Sequence, residues 1–591
     1  MPNLELLQEQ ILAQNPTDQQ RDAIFAEELE FLLRASPGSG KTWTSCRRFI
    51  WRGANWQYTA GGIALLSFTN AAIREFQAAT IKIGKRDLLS DPNYVGTFDS
   101  FVERFIITPF GHLIVGSSRR PKLFTAPRPG DWKNSKLMAR LPLGGGRKKI
   151  PVPAWEIIPF MRDGKFAFKT SNAFGGKELV FSGNDPVKEL LTLGFYTHSQ
   201  RVYWACRLLF DRHHIAEVIA KRFPEIIVDE AQDTNMWLLI LLNFLRDRGA
   251  RITLVGDPDQ CIYEFSMADA TSLPALKDKW MIPEKPLSQS FRCNNQIAAA
   301  VRNIGGNQAF IGCGNADREL FRPFILKEPT EQFSSSVGAF QKLLTLTEIN
   351  ETTSAIICRA HTQLETIRGE VHYNNLTGIT KELARASFLR DCRKDYNRAA
   401  QIVEFSIRVI LNDSDLWEKV DASPESDEAK RVNLEIWRFV KSESGLPAVN
   451  LSGSEWIAQL RQRLGQLITA LGIVDIPNLN MKIRKTGLDN NQLNLPLFAA
   501  QKLFPSLRQE TIHQVKGESI DAVLVLGSTK FWNSVVDAVV AGENSEDRRL
   551  AYVAMTRARH LLVLGLPATH YDKYSEKWIH WGFKTLTNNR N

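Results

Sequence analysis

No stretch of the 591-residue chain approaches the ~20 consecutive apolar residues needed to cross a bilayer, so no membrane span is expected. The opening residues, MPNLELLQEQ, carry acids and no apolar run, which excludes a secretory leader from the expectation. Cysteine is scarce and scattered, at Cys46, Cys206, Cys261, Cys293, Cys313, Cys358 and Cys392, with no CxxC spacing. That pattern argues against a disulfide framework or a structural metal site and suits thiols in a reducing cytoplasm. Internal repeats and long low-complexity tracts are lacking too. What is there is the composition of a folded protein, 43% hydrophobic and 23% charged, in a chain too long for one core.

Charge is the first pointer to a partner. The formal net charge is +10, and the stretch from Phe110 to Gln200 holds 15 Lys or Arg against 6 Asp or Glu. Two readings fit that excess: a track for a nucleic-acid backbone, or a solvated basic surface. Trp132 and Trp155 lie among Arg128, Lys133, Lys136, Arg147, Lys148 and Lys149, as a backbone track would have them.

Short apolar runs ending at polar or glycine-bearing loops recur in two groups. The first is FLLRAS (31–36), IALLSF (63–68), EIIVDE (225–230) and RITLVGD (251–257). The second is SAIICRA (354–360), DAVLVLGS (521–528) and HLLVLG (560–565). Continuously apolar strands of this kind belong to parallel sheets buried on both faces. The expected fold is therefore α/β, with two parallel-sheet domains, each interrupted by an insertion. The first domain is assigned to 1–110 and 195–285, with a basic, DNA-binding insertion at 111–194. The second is assigned to 286–365 and 505–591, with an insertion at 366–504. EFSIRVILN and RVNLEIWRFV mark that second insertion as helical, and DASPESDEAK (421–430) reads as an exposed loop within it.

The sharpest local signal is ASPGSGKT at 35–42, directly after FLLR. A glycine-rich turn between strand and helix lets the backbone N–H groups of Ser36, Pro37-flanked Gly38, Ser39 and Gly40 wrap a polyphosphate. Lys41 then reaches the β and γ phosphates of ATP, and the Thr42 hydroxyl ligates Mg2+. The second signal is IIVDEAQD (226–233), a strand running into paired acids. Asp229 can hold the metal and Glu230 can orient the attacking water. A lone acid pair could equally favour a helix N-terminus. The phosphate loop earlier in the same sheet favours the catalytic reading.

The order and wording of the motifs resemble the UvrD/Rep/PcrA-type helicases, a family that moves 3′ to 5′ on single-stranded DNA. TDQQRDAI (17–24) is similar to the adenine-reading motif, with Gln20 as its glutamine. LSFTNAA (66–72) and VGTFDSF (95–101) resemble two DNA-contacting motifs, and LVGDPDQCIYEF (254–265) the one coupling ATP state to DNA. LSQSFRCNNQI (287–297), IHQVKGES (512–519) and RRLAYVAMTRAR (548–559) resemble the last three. The resemblance implies two RecA-like motor domains. It implies that Arg292 and Arg557, from the second sheet, close on a γ-phosphate bound by the first, that Gln260 senses that phosphate, and that Phe291 stacks on adenine. On the DNA face it implies Phe68, Thr69, Asn70, Thr97, Phe98, Tyr263, Phe265 and His513. Phe68, Tyr263 and Phe265 would stack on bases, each sitting in a polar loop.

Several positions depart from the family pattern. Trp43 stands where an arginine usually faces the adenine, and Asp99 where GTFHS has its histidine. KGES puts Glu518 and Ser519 where Leu and Glu usually lie, which unsettles the ribose contact otherwise given to Glu518. FSMA (265–268) replaces WRGA. Only 26 residues follow the last strand, too few for a nuclease domain. The expected activity is an ATP-dependent 3′-to-5′ translocase or helicase acting on single-stranded and tailed duplex DNA. The alternative is an ATP-gated, DNA-sensing subunit of a separate nuclease in repair or antiphage defence.

Overall fold

A computed structural model describes residues 2–115, 121–124, 138–142, 149–162, 165–170, 180–181, 187–262, 272–314, 319–329, 333–360, 363–364, 367, 378–411, 416–417, 420, 426–473, 478–484 and 507–586. The chain divides into two compact units. One comprises residues 1–125, 136–360 and 506–591, and the other residues 126–135 and 361–505.

The larger unit holds two six-stranded parallel sheets. The first uses β1 (Leu32–Ala35), β2 (Ile63–Ser67), β3 (Tyr94–Thr97), β4 (Glu225–Val228), β5 (Arg251–Gly256) and β6 (Glu284–Leu287), in the order β6-β1-β5-β4-β2-β3. The second uses β7 (Pro323–Glu328), β8 (Ser354–Cys358), β9 (Arg508–Thr511), β10 (Ile520–Leu526), β11 (Ala558–Pro567) and β12 (Lys584–Thr585), in the order β9-β8-β10-β11-β7-β12. All seven apolar runs became strands. β6 reaches Leu287, so the first sheet takes two residues assigned above to the second domain.

The first sheet shows why such strands read as continuous apolar runs. Leu32, Ala64, Leu66, Ile226, Val228, Ile252 and Leu254 face one core. Leu33, Ala35, Ile63, Leu65, Ile227 and Val255, alternating with them, face another. Each face is covered by helices, so neither set of side chains is left to water.

Where it is described, the first insertion is β-structure. Met138–Pro142 pairs antiparallel with Lys149–Pro153, and Ile157–Arg162, Lys165–Thr170 and Val180–Phe181 form a second antiparallel sheet. Two of its aromatics pack inward: Phe168 is buried in the first domain's core, and Trp155 stacks on Phe124 with centroids 5.4 Å apart. Buried Gln200 donates to the carbonyls of Ala154 (2.8 Å) and Ile157 (3.1 Å), tying this sheet to helix His198–Asp211. Trp132, Arg147 and Lys148 lie outside the described residues, as does the side chain of Lys149.

The smaller unit is helical, as expected. Helices Gly378–Arg393, Tyr396–Leu411, Asp427–Lys441 and Gly453–Ala470 share one core that includes Leu389, Val403, Ile436, Trp456 and Leu464. One expectation fails locally. The stretch from Asp427 is helix rather than loop, because Ser426 caps it by accepting from the Ala429 N–H at 3.2 Å.

Candidate active site

The motif segments after β1, β4 and β5 each leave the carboxyl end of their strand, the edge where parallel α/β sheets bind ligands. β1 runs into the phosphate loop, whose turn depends on two glycines in the left-handed region. Gly38 has φ +72°, and a Cβ there would lie 2.6 Å from Arg292 Cβ. Gly40 has φ +80° and directly precedes helix Lys41–Ala54. Both are positions that only glycine fills without strain.

Several contacts hold the loop. Ser36 N–H donates to Leu287 O (2.8 Å), and Ser36 Oγ pairs with Asn307 Nδ2 (2.9 Å). Gln20 donates to Ser39 O (3.1 Å), while its own Oε1 accepts from Thr17 N–H (3.0 Å). Gln20 is thus both a capping residue of helix Asp18–Phe25 and a strut under the loop.

Lys41 Nζ lies 3.4 Å from Glu230 Oε2. Asp229 is fully buried at the end of β4. Its two carboxylate oxygens accept from Thr42 Oγ1 (3.2 Å) and from Ser45 Oγ (3.2 Å). Burial, followed by the Glu230 charge, pushes Asp229 up to about 7. Burial pushes Glu230 the same way, but Lys41, Lys516 and a hydrogen bond from Gln232 outweigh it and hold that carboxyl down to about 2. Glu230 also adopts the left-handed φ of +54°, which aims it into the cleft. Thr42 and Asp229 offer only hard oxygen donors, a set that fits Mg2+.

The second sheet supplies the opposite wall. Arg557 is buried and donates through Nη2 to Gln260 Oε1 (3.2 Å), and Gln260 donates in turn to Asp257 (2.7 Å). Burial, then the neighbouring Arg292 charge, pulls the Arg557 guanidinium down to about 9. Arg292 donates to Ser519 Oγ (2.8 Å), Thr556 O (3.3 Å) and Gly517 O (3.4 Å). Phe291, half exposed, donates its backbone N–H to Gly38 O (2.8 Å). All of these residues except Asp257 and Thr556 line one cavity of about 1010 Å³, together with Lys41, Thr42, Trp43 and Glu230.

Motif residues of both sheets thereby line one cavity, and the DNA-side residues can be placed against it. Thr69 and Thr97 are helix N-caps, accepting from Ala72 N–H (3.2 Å) and Ser100 N–H (3.2 Å), and Asn70 is exposed on the first turn. Phe68 is half-buried against Phe98 at 5.0 Å. Phe98 itself is only 2% exposed, so its ring is core and cannot stack on a base in this conformation. His513 sits against Ile262 O (3.2 Å). Tyr263 and Phe265 lie outside the described residues. Glu518 is engaged by Arg508 (2.6 and 2.9 Å) and lines the same cavity.

The UvrD/REP helicase N-terminal domain model matches residues 16–126 and 186–280, and the UvrD-like helicase C-terminal domain model matches 457–568. The chain belongs to the UvrD-like helicase family. A probable DNA helicase II homolog of Mycoplasma genitalium is 22% identical, over 93% of this chain and 84% of that protein. DNA helicase II of Escherichia coli is 23% identical over 49% of this chain, and the ATP-dependent DNA helicase PcrA of Bacillus subtilis 25% over 49%. The chain spans about two-fifths of the length of those last two proteins, 40% and 39%.

Within this UvrD-like frame the structure adds residues that motif reading passed over. Ser45 holds Asp229, and Gln232 holds Glu230. Lys516 pairs with both oxygens of Asp233 at 2.7 Å, joining the DEAQD segment to the second sheet. Asp99, the departure from GTFHS, is ion-paired with buried Arg201. Trp43 carries the Arg47 guanidinium over its ring at 4.2 Å, and Arg47 donates to Gln14 Oε1 (2.8 Å). Helical spacing could have flagged Ser45, one turn beyond Lys41. Nothing local in the sequence pairs Asp99 with Arg201, about 100 residues apart.

Proposed function

We propose that this chain is an ATP-dependent DNA translocase that separates strands while moving 3′ to 5′ on single-stranded DNA. The observation that carries the proposal is the cavity itself. Lys41, Thr42 and Glu230 from the first sheet face Arg292 and Arg557 from the second, and the same space extends to Phe68, Thr69 and Thr97 on the DNA-motif loops.

The residues divide the work. The phosphate loop and Lys41 bind the triphosphate, which draws Lys41 away from Glu230. Glu230, ionised at neutral pH, orients the attacking water. Arg292 and Arg557 stabilise charge on the transferring phosphoryl, a role typically worth ~10³–10⁵ in rate. Thr42 and Asp229 would hold magnesium, which would supply charge neutralisation to the triphosphate. Gln260, bonded to both Arg557 and Asp257, links that state to the segment leading towards the DNA side. Trp43 and Phe291 supply aromatic faces for the adenine.

Lys41→Ala should lose ATP hydrolysis, whereas Glu230→Gln should bind ATP and fail to turn it over. Strand displacement on 3′-tailed, 5′-tailed and blunt duplexes tests polarity, and unwinding confined to 5′-tailed substrates would overturn it.

A further inference from the structure

The cavity does not stop at the nucleotide residues. It continues to Ser67, Asp99, His198 and Arg201, beyond the groups that the proposed ATPase cycle uses. This inner end lies where three helices of eight or more residues begin: Asn70–Lys82, His198–Asp211 and Met236–Arg246.

Two buried donors there have no acceptor among the described residues. Ser67 Oγ is completely buried and unpaired, and so is Nε of Arg201, a residue 6% exposed. Buried donors left unpaired are rare and costly, and two opening on one cavity call for an acceptor-rich ligand. Arg201 already carries one anion, because its Nη2 is paired with Asp99. The Asp99 side chain is 58% exposed and sits on the short helix Phe98–Val102 that follows β3. Its carboxylate holds one arm of the guanidinium, and an incoming anion can take its place.

We propose that this inner end is a second phosphate site, held by Arg201 with Ser67 lining it, and occupied at rest by the Asp99 carboxylate. A phosphate group fits the donors: it accepts several hydrogen bonds at once, and a guanidinium matches its geometry. Two sources are within reach of the chamber. One is inorganic phosphate leaving the adjoining hydrolysis site, and the other is the backbone of a strand at Phe68 and Thr97. Both rest on the reading of this chain as a DNA-dependent ATPase. In either case the ion pair works as a latch: phosphate binding releases Asp99, and loss of phosphate restores it.

The test uses the full chain with ADP and magnesium saturating the nucleotide site. Inorganic phosphate is titrated by calorimetry into wild type, Asp99→Asn, Arg201→Lys and Arg201→Gln, and each protein's oligothymidylate affinity is measured across salt concentrations. Asp99→Asn removes the resident anion and should tighten phosphate binding or DNA binding roughly tenfold. Arg201→Gln should weaken the same ligand by a similar factor, with Arg201→Lys between. If the source is the strand, Arg201→Gln also lowers the slope of log affinity against log salt by ~0.7. A change confined to the calorimetric arm assigns the site to inorganic phosphate, and one confined to the DNA arm assigns it to the strand. Asp99→Asn lies on an exposed side chain, so it carries the test if Arg201→Gln fails to fold. Unchanged phosphate and DNA affinities in Asp99→Asn would overturn the proposal and leave a structural ion pair. Failure of the helicase reading shows separately, as wild-type protein that neither binds oligothymidylate nor responds to it.

Discussion

Asp229 has both oxygens committed to hydroxyls, Thr42 on one side and Ser45 on the other. The Ser45 bond keeps the carboxylate turned towards Thr42, the geometry a magnesium ion needs. Ser45→Ala should raise the magnesium concentration needed for half-maximal ATPase by roughly tenfold, the typical effect of losing a hydrogen bond to a charged group. A magnesium titration of the ATPase checks this, and an unchanged midpoint removes Ser45 from the metal side of the site. Trp43 makes a second case. One face of its ring carries Arg47 and the side chain opens on the cavity. Trp43→Ala should weaken ATP by ~5–150-fold, the worth of one base stack, while leaving tripolyphosphate affinity unchanged. Equal losses for the two ligands would show that Trp43 supports the loop rather than the base. At this scale the sequence was most legible where chemistry fixes a spacing, as in Lys41, Thr42, Asp229 and Glu230. It was least legible for the residues that hold them. Glu518, standing where the family has Leu, is engaged by Arg508, and no local pattern shows that pairing in advance.

Among the elements, the strands read best because both faces of each sheet are buried, leaving an apolar run with no alternation to misread. The first insertion read worst. Its glycines, prolines and lysines masked short antiparallel strands whose inward residues, Phe168 and Ile157, join the core of the first sheet. The C-terminal helix Ala568–His580 shows an element with its own pH dependence. His570 is fully buried, hydrogen-bonded through Nδ1 to Asn533 Oδ1 (2.7 Å), and accepts from Trp578 Nε1 at 3.0 Å. Burial pulls its imidazole down to about 4. The unfolded chain takes up that proton near pH ~6.5, so the folded state loses stability as pH falls from there towards about 4. The loss is bounded by ~3 kcal/mol. Thermal melting between neutral and acid pH should show a steeper decline for wild type than for His570→Gln. Parallel declines would place the acid sensitivity elsewhere.

Across the whole larger unit, the two sheets are joined through a polar seam at the nucleotide site. Lys516 bridges to Asp233, Arg557 to Gln260, Arg549 to Cys261 O (2.6 Å) and Phe291 to Gly38 O. The seam explains why motifs hundreds of residues apart were legible as one site while their pairings were not. Each motif carries its own chemistry, but only the fold decides that Lys516 meets Asp233. Burial pushes the Asp233 carboxyl up to about 6, against the pull of Lys516. Removing one partner of a buried pair costs about 3–5 kcal/mol, so Lys516→Ala should loosen the seam and uncouple hydrolysis from DNA more than it weakens ATP binding. A DNA-stimulated rate that survives in Lys516→Ala, with ATP affinity lost instead, would move Lys516 from coupling to nucleotide binding.

The account rests on one claim, that the second sheet's arginines complete the ATPase site in response to DNA. The most direct measurement is the steady-state ATPase rate of the full chain with and without a single-stranded oligothymidylate, in wild type and in Arg557→Ala. The account predicts a low basal rate, strong stimulation by the oligonucleotide, and a loss of ~10³-fold or more from the stimulated rate in Arg557→Ala. Equal rates with and without the oligonucleotide, or a stimulated rate that survives in Arg557→Ala, would contradict it.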